Sequence, residues 1–178
     1  MRVESWEEVE RILFTNVSMT TEQKIWQALE QVKDPEIPVL SVVDMGIVTK
    51  VESNENSVRV VMTPTFVGCP AIDVMKKDIY TAVVNAGFEN VVVDVDFETQ
   101  WNSNLMSPEA REKLRKFGIA PPAIHEGEVS EEMLNKVRCP HCGSADTTLN
   151  SPFGSTLCRA IRFCFSCKQG FEQFKPVV

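Results

Sequence analysis

The middle of the chain reads Val58-Arg-Val-Val-Met-Thr-Pro-Thr-Phe-Val-Gly-Cys-Pro70, and it joins two different hydrophobic patterns. Apolar side chains alternate over 58–62, which predicts a β-strand with one buried face. Beyond Pro70 the apolar side chains recur at helical spacing as far as Gly87, which predicts a helix ending at that glycine. The loop between them therefore places Cys69 at or just before a helix start, with Pro70 at the first helical position.

Two further segments predict the rest of a small sheet. Residues 47–51 precede a polar turn and should pair with 58–62 as a hairpin. Residues 91–97 alternate as a third strand, with one face formed by Val91, Val93, Val95 and Phe97. Because a helix separates the second and third strands, these two strands are expected to be parallel.

Helices flank these strands in the sequence. Thr20 and Gln23 have the pattern of a capping box, and the helix that they open must end before Pro35. Ser107-Pro108 opens another helix, which Gly118 closes. The predicted fold class is therefore α+β, a small mixed β-sheet packed by helices.

The composition is that of a globular protein. Of 178 residues, 43% are hydrophobic and 24% charged, so we expect a buried core. The sequence has no run of about 18 apolar residues, and residues 1–10 carry four glutamates where a secretory leader would be apolar. We expect a cytoplasmic protein with no membrane partner. In a reducing cytoplasm, its six cysteines are better explained as metal ligands or reactive thiols than as disulfides.

Charge and cysteine are unevenly distributed. Residues 137–178 hold five of the six cysteines and five basic against two acidic residues, a net +3, so the remainder of this −7 chain carries −10. The stretch 119–128 is rich in proline and predicts an extended connector. Ser5 and Glu8 repeat the capping pattern and predict a short arm helix. The expected domains are an N-terminal arm (1–19), the α+β domain (20–118), a linker (119–136) and a zinc ribbon (137–178).

The tail contains two Cys-x-x-Cys pairs with 21 residues between them. Four thiolates complete a tetrahedral shell around zinc and leave no position open for chemistry, which is typical of a structural site. About forty residues with few large aliphatic side chains cannot fold alone, so the metal should supply the missing stability. Two unrelated knuckles or a redox dithiol are the alternatives, and iron in place of zinc stays open. The predicted zinc ligands are Cys139, Cys142, Cys164 and Cys167.

Other residues of the tail have simpler explanations. Cys158 is expected on the return strand of the ribbon as a small packed side chain rather than a fifth ligand. His125, in the linker, has no partner that the sequence identifies. The tail's phenylalanines and basic residues also fit stacking with nucleic acid, but a ribbon core needs aromatics and the whole chain is acidic. We therefore expect no nucleic-acid partner.

A second candidate site surrounds Cys69. The free N–H groups and dipole of a helix start favour a thiolate, so Cys69 could be reactive or accept a metal. The alternative is a buried apolar cysteine in a strand-to-helix turn. The loop 34–46 supplies Asp34, Glu36 and Asp44, whose alternative role is to cap a proline-stiffened loop.

Two strings, Asp34-Pro-Glu-Ile-Pro-Val-Leu-Ser-Val-Val-Asp-Met-Gly-Ile-Val48 and Thr63-Pro-Thr-Phe-Val-Gly-Cys-Pro70, resemble the MIP18 family, also called DUF59, of iron–sulfur assembly factors. Residues 107–122, 139–142 and 153–158 resemble the PaaD branch of that family, which is associated with the multicomponent phenylacetyl-CoA epoxidase of phenylacetate catabolism. The resemblance covers about residues 20 to 177.

The resemblance implies a maturation factor rather than an enzyme, one that assists iron–sulfur cluster or iron insertion into the epoxidase reductase or oxygenase. Cys69 would be a transient ligand of iron or an iron–sulfur cluster, with Asp34 and Glu36 nearby, and the reductase and oxygenase subunits would be the protein partners. The chain itself has neither a Glu-x-x-His pair nor a dinucleotide fingerprint. The alternative is a non-catalytic scaffold subunit of the epoxidase complex, in which Cys69 is packing. Homo-oligomerisation stays open.

Overall fold

The structure is a computed structural model that describes residues 19–54 and 57–178. The predicted arm helix lies outside the described residues. The described helices are α1 (Thr21–Leu29), α2 (Ile72–Asn85), α3 (Pro108–Phe117) and α4 (Glu131–Asn135). The strands are β1 (Val48–Ser53), β2 (Val58–Met62), β3 (Val91–Val95), β4 (Ile119–Ala120), β5 (Thr147–Ser151), β6 (Arg159–Cys164) and β7 (Gly170–Phe174).

The first sheet has the strand order β1-β2-β3. β1 and β2 form an antiparallel hairpin, and β2 and β3 are parallel, as predicted. The third strand ends earlier than predicted, at Val95. Asp96 Oδ1 accepts the N–H groups of Glu98 and Thr99 and so turns the chain. Phe97 consequently lies outside the sheet with 55% of its surface exposed, so its predicted place on the buried face was wrong.

Helix α1 begins with the predicted capping box: Thr20 Oγ1 accepts the N–H of Gln23, whose Oε1 accepts the N–H of Thr20. Helix α3 is capped by Ser107 and ends at Gly118, whose φ is 92°. The buried faces of the three longer helices pack with the first sheet in one core. Its helical members are Ile25, Leu29, Met75, Ile79, Val83, Ala110 and Leu114.

The second sheet has the order β4-β7-β6-β5. The expected ribbon hairpin is β5 and β6, and β7 adds a third antiparallel strand that the sequence patterns did not predict. Ile119 and Ala120, placed in the predicted linker, pair in parallel with Glu172 and Gln173. The side chains of Ile119 and Ala120 are also buried. The start of the predicted linker is therefore a strand of the second sheet rather than an extended connector.

The C-terminal sheet packs directly on the α+β domain. Phe174 is fully buried in the core of that domain, with its ring centroid 5.9 Å from that of Trp101. His125 is also buried, and its Nε2 lies 2.8 Å from Val177 O and 3.3 Å from Ser103 Oγ. His125 therefore has the partners that the sequence did not identify. These contacts join the two parts of the chain through shared packing.

None of the helices that the structure describes is both long enough and apolar enough to cross a membrane.

Gly46 is a position where the backbone requires glycine. Its φ is +65°, and an added Cβ would lie 2.6 Å from Leu105 Cβ and 2.8 Å from Leu105 O. We expect Gly46→Ala to lower the free energy of unfolding by about 2–4 kcal/mol, from backbone strain and overpacking together. Urea unfolding of Gly87→Ala is the control, because Gly87 has φ +98° but no atom within 4 Å of an added Cβ. Equal losses for the two variants would contradict the steric argument.

Candidate functional site

Four cysteine side chains converge at one end of the C-terminal sheet. Cys139 and Cys142 come from the turn before β5, while Cys164 and Cys167 span the turn after β6. Sγ of Cys139 lies 3.7 Å from that of Cys167, and Sγ of Cys142 lies 3.6 Å from that of Cys164. Tetrahedral sulfurs about 2.3 Å from a central ion stand about 3.8 Å apart. The spacing therefore fits a four-cysteine metal-binding site.

Backbone N–H groups stabilise the thiolate form of one of the four cysteines, Cys164. The N–H groups of Cys167 and Ser166 hydrogen-bond to its sulfur and lower its pKa to about 7. Burial instead raises the pKa of Cys167 to about 12. Metal binding needs deprotonated thiols, so a bound cation would have to displace the proton of Cys167. Within residues 19–54 and 57–178, no other group of three or more His, Cys, Asp or Glu side chains has its ligand atoms within 4.8 Å of one another.

Cys69 lies in the turn between β2 and α2 and is partly buried. The helix begins at Ile72, after a turn in which the N–H of Ile72 bonds Cys69 O at 3.4 Å, so Pro70 is not its first residue. Burial raises the pKa of the Cys69 thiol. The backbone N–H of Ala71 hydrogen-bonds to the sulfur and lowers the pKa, whereas the charges of Asp34, Cys158 and Glu36 raise it further. The expected preference for a thiolate was therefore wrong, because desolvation outweighs the helix start.

Asp34 is 7% exposed and lies in the loop after α1. Its Oδ1 accepts the N–H of Glu36 at 2.8 Å and of Ile37 at 2.7 Å, so it caps this loop as the simpler interpretation held. Burial nevertheless raises the pKa of Asp34. Asp44 also serves the loop, by accepting the N–H of Ser41 and pairing with Lys113 at 2.6 Å.

Arg159 links the carboxylates of the loop to the C-terminal sheet. Its side chain is 7% exposed, and its NH2 lies 3.4 Å from Glu36 Oε2. Its NH1 lies 2.7 Å from Glu172 Oε2, and its Nε donates to Thr156 Oγ1 at 2.9 Å. The turn that precedes β6 is thereby fixed against the loop that holds Asp34.

Cys158 stands in that turn, one residue before β6 rather than on the strand. Its Sγ lies 3.1 Å from Thr156 Oγ1. Burial raises the pKa of Cys158, the charge of Asp34 raises it further and that of Arg159 lowers it. Cys158 and Cys69 both pack against the core of the α+β domain.

The sequence alone points to Cys69, Asp34 and Glu36 as a candidate site and treats Cys158 as packing. The position of Cys158 against the core of the α+β domain depends on how β6 and β7 return the chain to that domain.

Two family models match the chain. The model described as iron-sulfur cluster assembly protein matches residues 22–97. The model described as PaaD zinc beta ribbon domain matches residues 125–175. The first match contains Asp34, Glu36 and Cys69, and the second contains Cys158 and the four converging cysteines.

Individual proteins are also similar to this chain. A putative 1,2-phenylacetyl-CoA epoxidase subunit of Escherichia coli (strain K12) is 42% identical over 154 residues, which are 86% of this chain and 92% of that protein. An Fe-S protein maturation auxiliary factor of Porphyromonas gingivalis is 39% identical over 56% of this chain and 95% of that protein. The crystal structure of a DUF59 domain from Bacillus anthracis is similar at 30% identity, with a TM-score of 0.48, over 52% of this chain and 90% of that one.

The fold and the cysteine centre thus define an iron–sulfur cluster assembly domain joined to a zinc β ribbon. The chain belongs to the MIP18/DUF59 family of iron–sulfur cluster assembly proteins, in the branch that carries the PaaD zinc ribbon. The resemblance noted from the sequence is confirmed.

The ribbon should depend on its metal. Among the residues that the structure describes, the buried cluster around the ribbon has five members, of which Cys139 and Cys164 are two. We expect Cys139→Ser to lose the bound metal and to open the ribbon, measured as zinc content and as early proteolytic cleavage beyond residue 128. Cys158→Ser is the control, since it removes a cysteine outside the metal shell and should keep the ribbon's metal. Unchanged zinc in the Cys139 variant would contradict the assignment.

The raised pKa values of Cys69 and Cys158 predict slow alkylation at neutral pH. Only the thiolate reacts, and a raised pKa leaves less thiolate at a given pH below it. We expect iodoacetamide to label both cysteines more slowly than free cysteine at pH 7.5, with rates still rising above the ordinary thiol value of about 8.5. Peptide mass spectrometry of protein carrying its ribbon metal measures this. A rate that levels off below pH 8 would show that the thiols are activated instead.

Proposed function

We propose that this protein is an accessory factor for a multicomponent phenylacetyl-CoA epoxidase. It is not itself an enzyme, and it assists the insertion of iron or an iron–sulfur cluster into the reductase or oxygenase component. Two relatives support the proposal: one is named as a phenylacetyl-CoA epoxidase subunit, and the other as an Fe-S protein maturation auxiliary factor. Iron or the cluster is its cargo, whereas a resident zinc ion belongs to the ribbon.

The observation that carries the proposal is the setting of Cys69. Its thiol is partly buried within the segment that matches the assembly model, which also contains the buried carboxyl of Asp34, and the charge of that carboxyl helps to raise the pKa of the thiol. A thiolate is the usual protein ligand of iron–sulfur clusters. Because burial keeps this thiol protonated until a cation arrives, metal binding must release a proton, which weakens binding at neutral pH. Weak binding suits a group that must be handed on.

The ribbon contributes a rigid surface for partners. A closed shell of four sulfurs leaves no coordination position for the cargo, so its zinc would be structural. Towards the other end of the β5–β6 hairpin, Phe153, Leu157 and Ile161 are 60%, 53% and 40% exposed. Apolar side chains on a basic ribbon are suited to docking a client protein. The epoxidase reductase and oxygenase subunits are the proposed clients.

Replacement of the cargo ligand tests the proposal. We expect Cys69→Ser to keep the fold and the ribbon's zinc while abolishing support of epoxidase activity, because serine is a poor ligand for iron. The assay is epoxidase turnover in cells that lack the native chain and express the variant, with zinc content measured in parallel. Val67→Ala, at a residue 74% exposed in the same turn, is the control and should give full support. Full support from the Cys69 variant would disprove the mechanism.

A scaffold role is the second candidate, favoured because the Escherichia coli relative is named as a subunit of the epoxidase. In that case Cys69 is packing, and the chain copurifies with the oxygenase subunits in stoichiometric amounts. A maturation factor instead contacts the reductase or oxygenase transiently. Copurification from cells, combined with the Cys69→Ser assay, separates the two roles.

A further inference from the structure

A cavity lies at the edge of the first sheet where its two parallel strands end. The loops that follow β2 and β3 line it with residues 64–67 and 96–101, and Val177 also belongs to its lining. Its volume is about 340 Å³, which is enough for a small ligand or a single side chain. Ligands of open sheets bind beyond the carboxyl ends of parallel strands, so the cavity has the position of a binding site.

Three aromatic residues line the cavity. Trp101 is 1% exposed and is held in place because its Nε1 donates to Met45 O at 3.0 Å. Phe66 is partly buried, whereas Phe97 is 55% exposed. Val67 is 74% exposed, so most of its side chain faces solvent and the apolar wall depends little on it. The cavity therefore offers an aromatic surface that the described part of the chain leaves partly uncovered at Phe97.

Thr65 lines the cavity with a hydroxyl group that has no partner. The residue is 8% exposed, yet no group of the described residues hydrogen-bonds to its side chain. Its Oγ1 is still accessible, because the wholly buried side-chain atoms without a partner belong to His125, Arg162 and Gln173. A largely buried polar group costs free energy unless it is hydrogen-bonded. This hydroxyl is therefore suited to a ligand with N–H or C=O groups, such as a peptide backbone.

The charged residues of the lining are acidic. Asp96 and Glu98 line the cavity, and no described lysine or arginine does. Hydrogen bonds from the hydroxyl and N–H groups of Thr99 and from the N–H of Glu98 lower the pKa of Asp96, so its carboxylate is charged at neutral pH. Neither carboxylate has an ion-pair partner among the described residues. The cavity therefore favours a cationic ligand over an anionic one.

The first of these loops leads directly into the turn of Cys69. The N–H of Cys69 donates to Phe66 O at 3.2 Å, so a wall of the cavity and the thiol of the proposed cargo site belong to one turn. A protein that receives cargo from Cys69 must dock beside this turn. A free small cation would satisfy the two carboxylates but would leave the aromatic surface uncovered.

We propose that this cavity docks an extended segment of the client protein. An apolar side chain of the segment packs on Phe66 and Phe97, an adjacent lysine or arginine pairs with Asp96 or Glu98, and the hydroxyl of Thr65 hydrogen-bonds to its backbone. The inference rests on the proposed function, because the client is the protein that receives the cargo.

Binding of the purified epoxidase reductase and oxygenase to the zinc-loaded full chain tests the proposal. We expect Phe97→Ala to weaken the affinity for the client at least about tenfold, because aromatic anchors carry much of the energy of an interface. Glu98→Lys should weaken it similarly and reduce its dependence on salt, because attraction is replaced by repulsion. Surface plasmon resonance at two ionic strengths measures both effects. Both residues are exposed, so zinc content and thermal unfolding should stay those of the wild type.

Val92→Ala and Glu89→Lys are the matched controls, because they make comparable changes at exposed residues outside the cavity and should bind normally. Normal binding by Phe97→Ala and Glu98→Lys overturns this inference, and it leaves the proposed function intact if Cys69→Ser still fails to support epoxidase turnover. Weakened binding by both, together with full support from Cys69→Ser, overturns the proposed cargo mechanism and leaves the docking site standing. A wild type that binds neither component overturns the inference and removes the proposed clients.

Overlapping peptides from the bound component identify the segment. We expect the peptides that bind to carry an apolar residue beside lysine or arginine, to displace the whole component, and to fail once that basic residue is replaced by glutamate. Peptides that bind Phe97→Ala as tightly as the wild type would overturn the inference, as would a set without any binding peptide. Self-association of the wild type that Phe97→Ala abolishes, measured by sedimentation, would show that a second copy occupies the cavity instead.

Discussion

The convergence of four cysteine sulfurs is the constraint on which the C-terminal sheet depends. Among the described residues, the separate buried cluster of this sheet has five members, and two of them, Cys139 and Cys164, belong to that centre. We expect so small a cluster to need a bound metal to offset the entropy of ordering the ribbon strands. Once the centre is closed, β7 is held beside β6 and delivers Phe174 into the core of the assembly domain.

The position of the ribbon then determines the chemistry at the domain contact. The same sheet that carries Phe174 places Arg159 between Glu36 and Glu172, so a cation of the basic ribbon meets the carboxylate of Glu36 on the acidic domain. Arg159 is buried whereas the side chain of Glu36 is 50% exposed, so the pair adds little net stability, but it favours one register between the two surfaces. The ion pair thereby holds the turn that carries Cys158 against the loop that carries Asp34 and Glu36.

Local patterns predicted the local structure well. The capping box of α1, the β1–β2 hairpin, the parallel β2–β3 pair and the glycine end of α3 depend on contacts within a few residues or on simple connection rules. The failures lie where a distant or competing contact intervened. The side chain of Asp96 caps a turn directly after β3, so Phe97 lies outside the strand. Burial raises the pKa of Cys69, although the helix start was expected to favour its thiolate. Ile119 and Ala120 pair with β7 and are therefore a strand, although they were predicted to belong to the linker.

The sequence by itself determined the family, the order of elements in the α+β domain and the four converging cysteines, because each is written in short motifs with fixed spacing. Only the tertiary structure decided that the ribbon packs on the assembly domain, that His125 lies beside Val177, and that Cys158 packs against the core of that domain. Those relations join residues far apart along the chain. They arise from the burial of Phe174 and the pairing of Arg159, which no local pattern encodes.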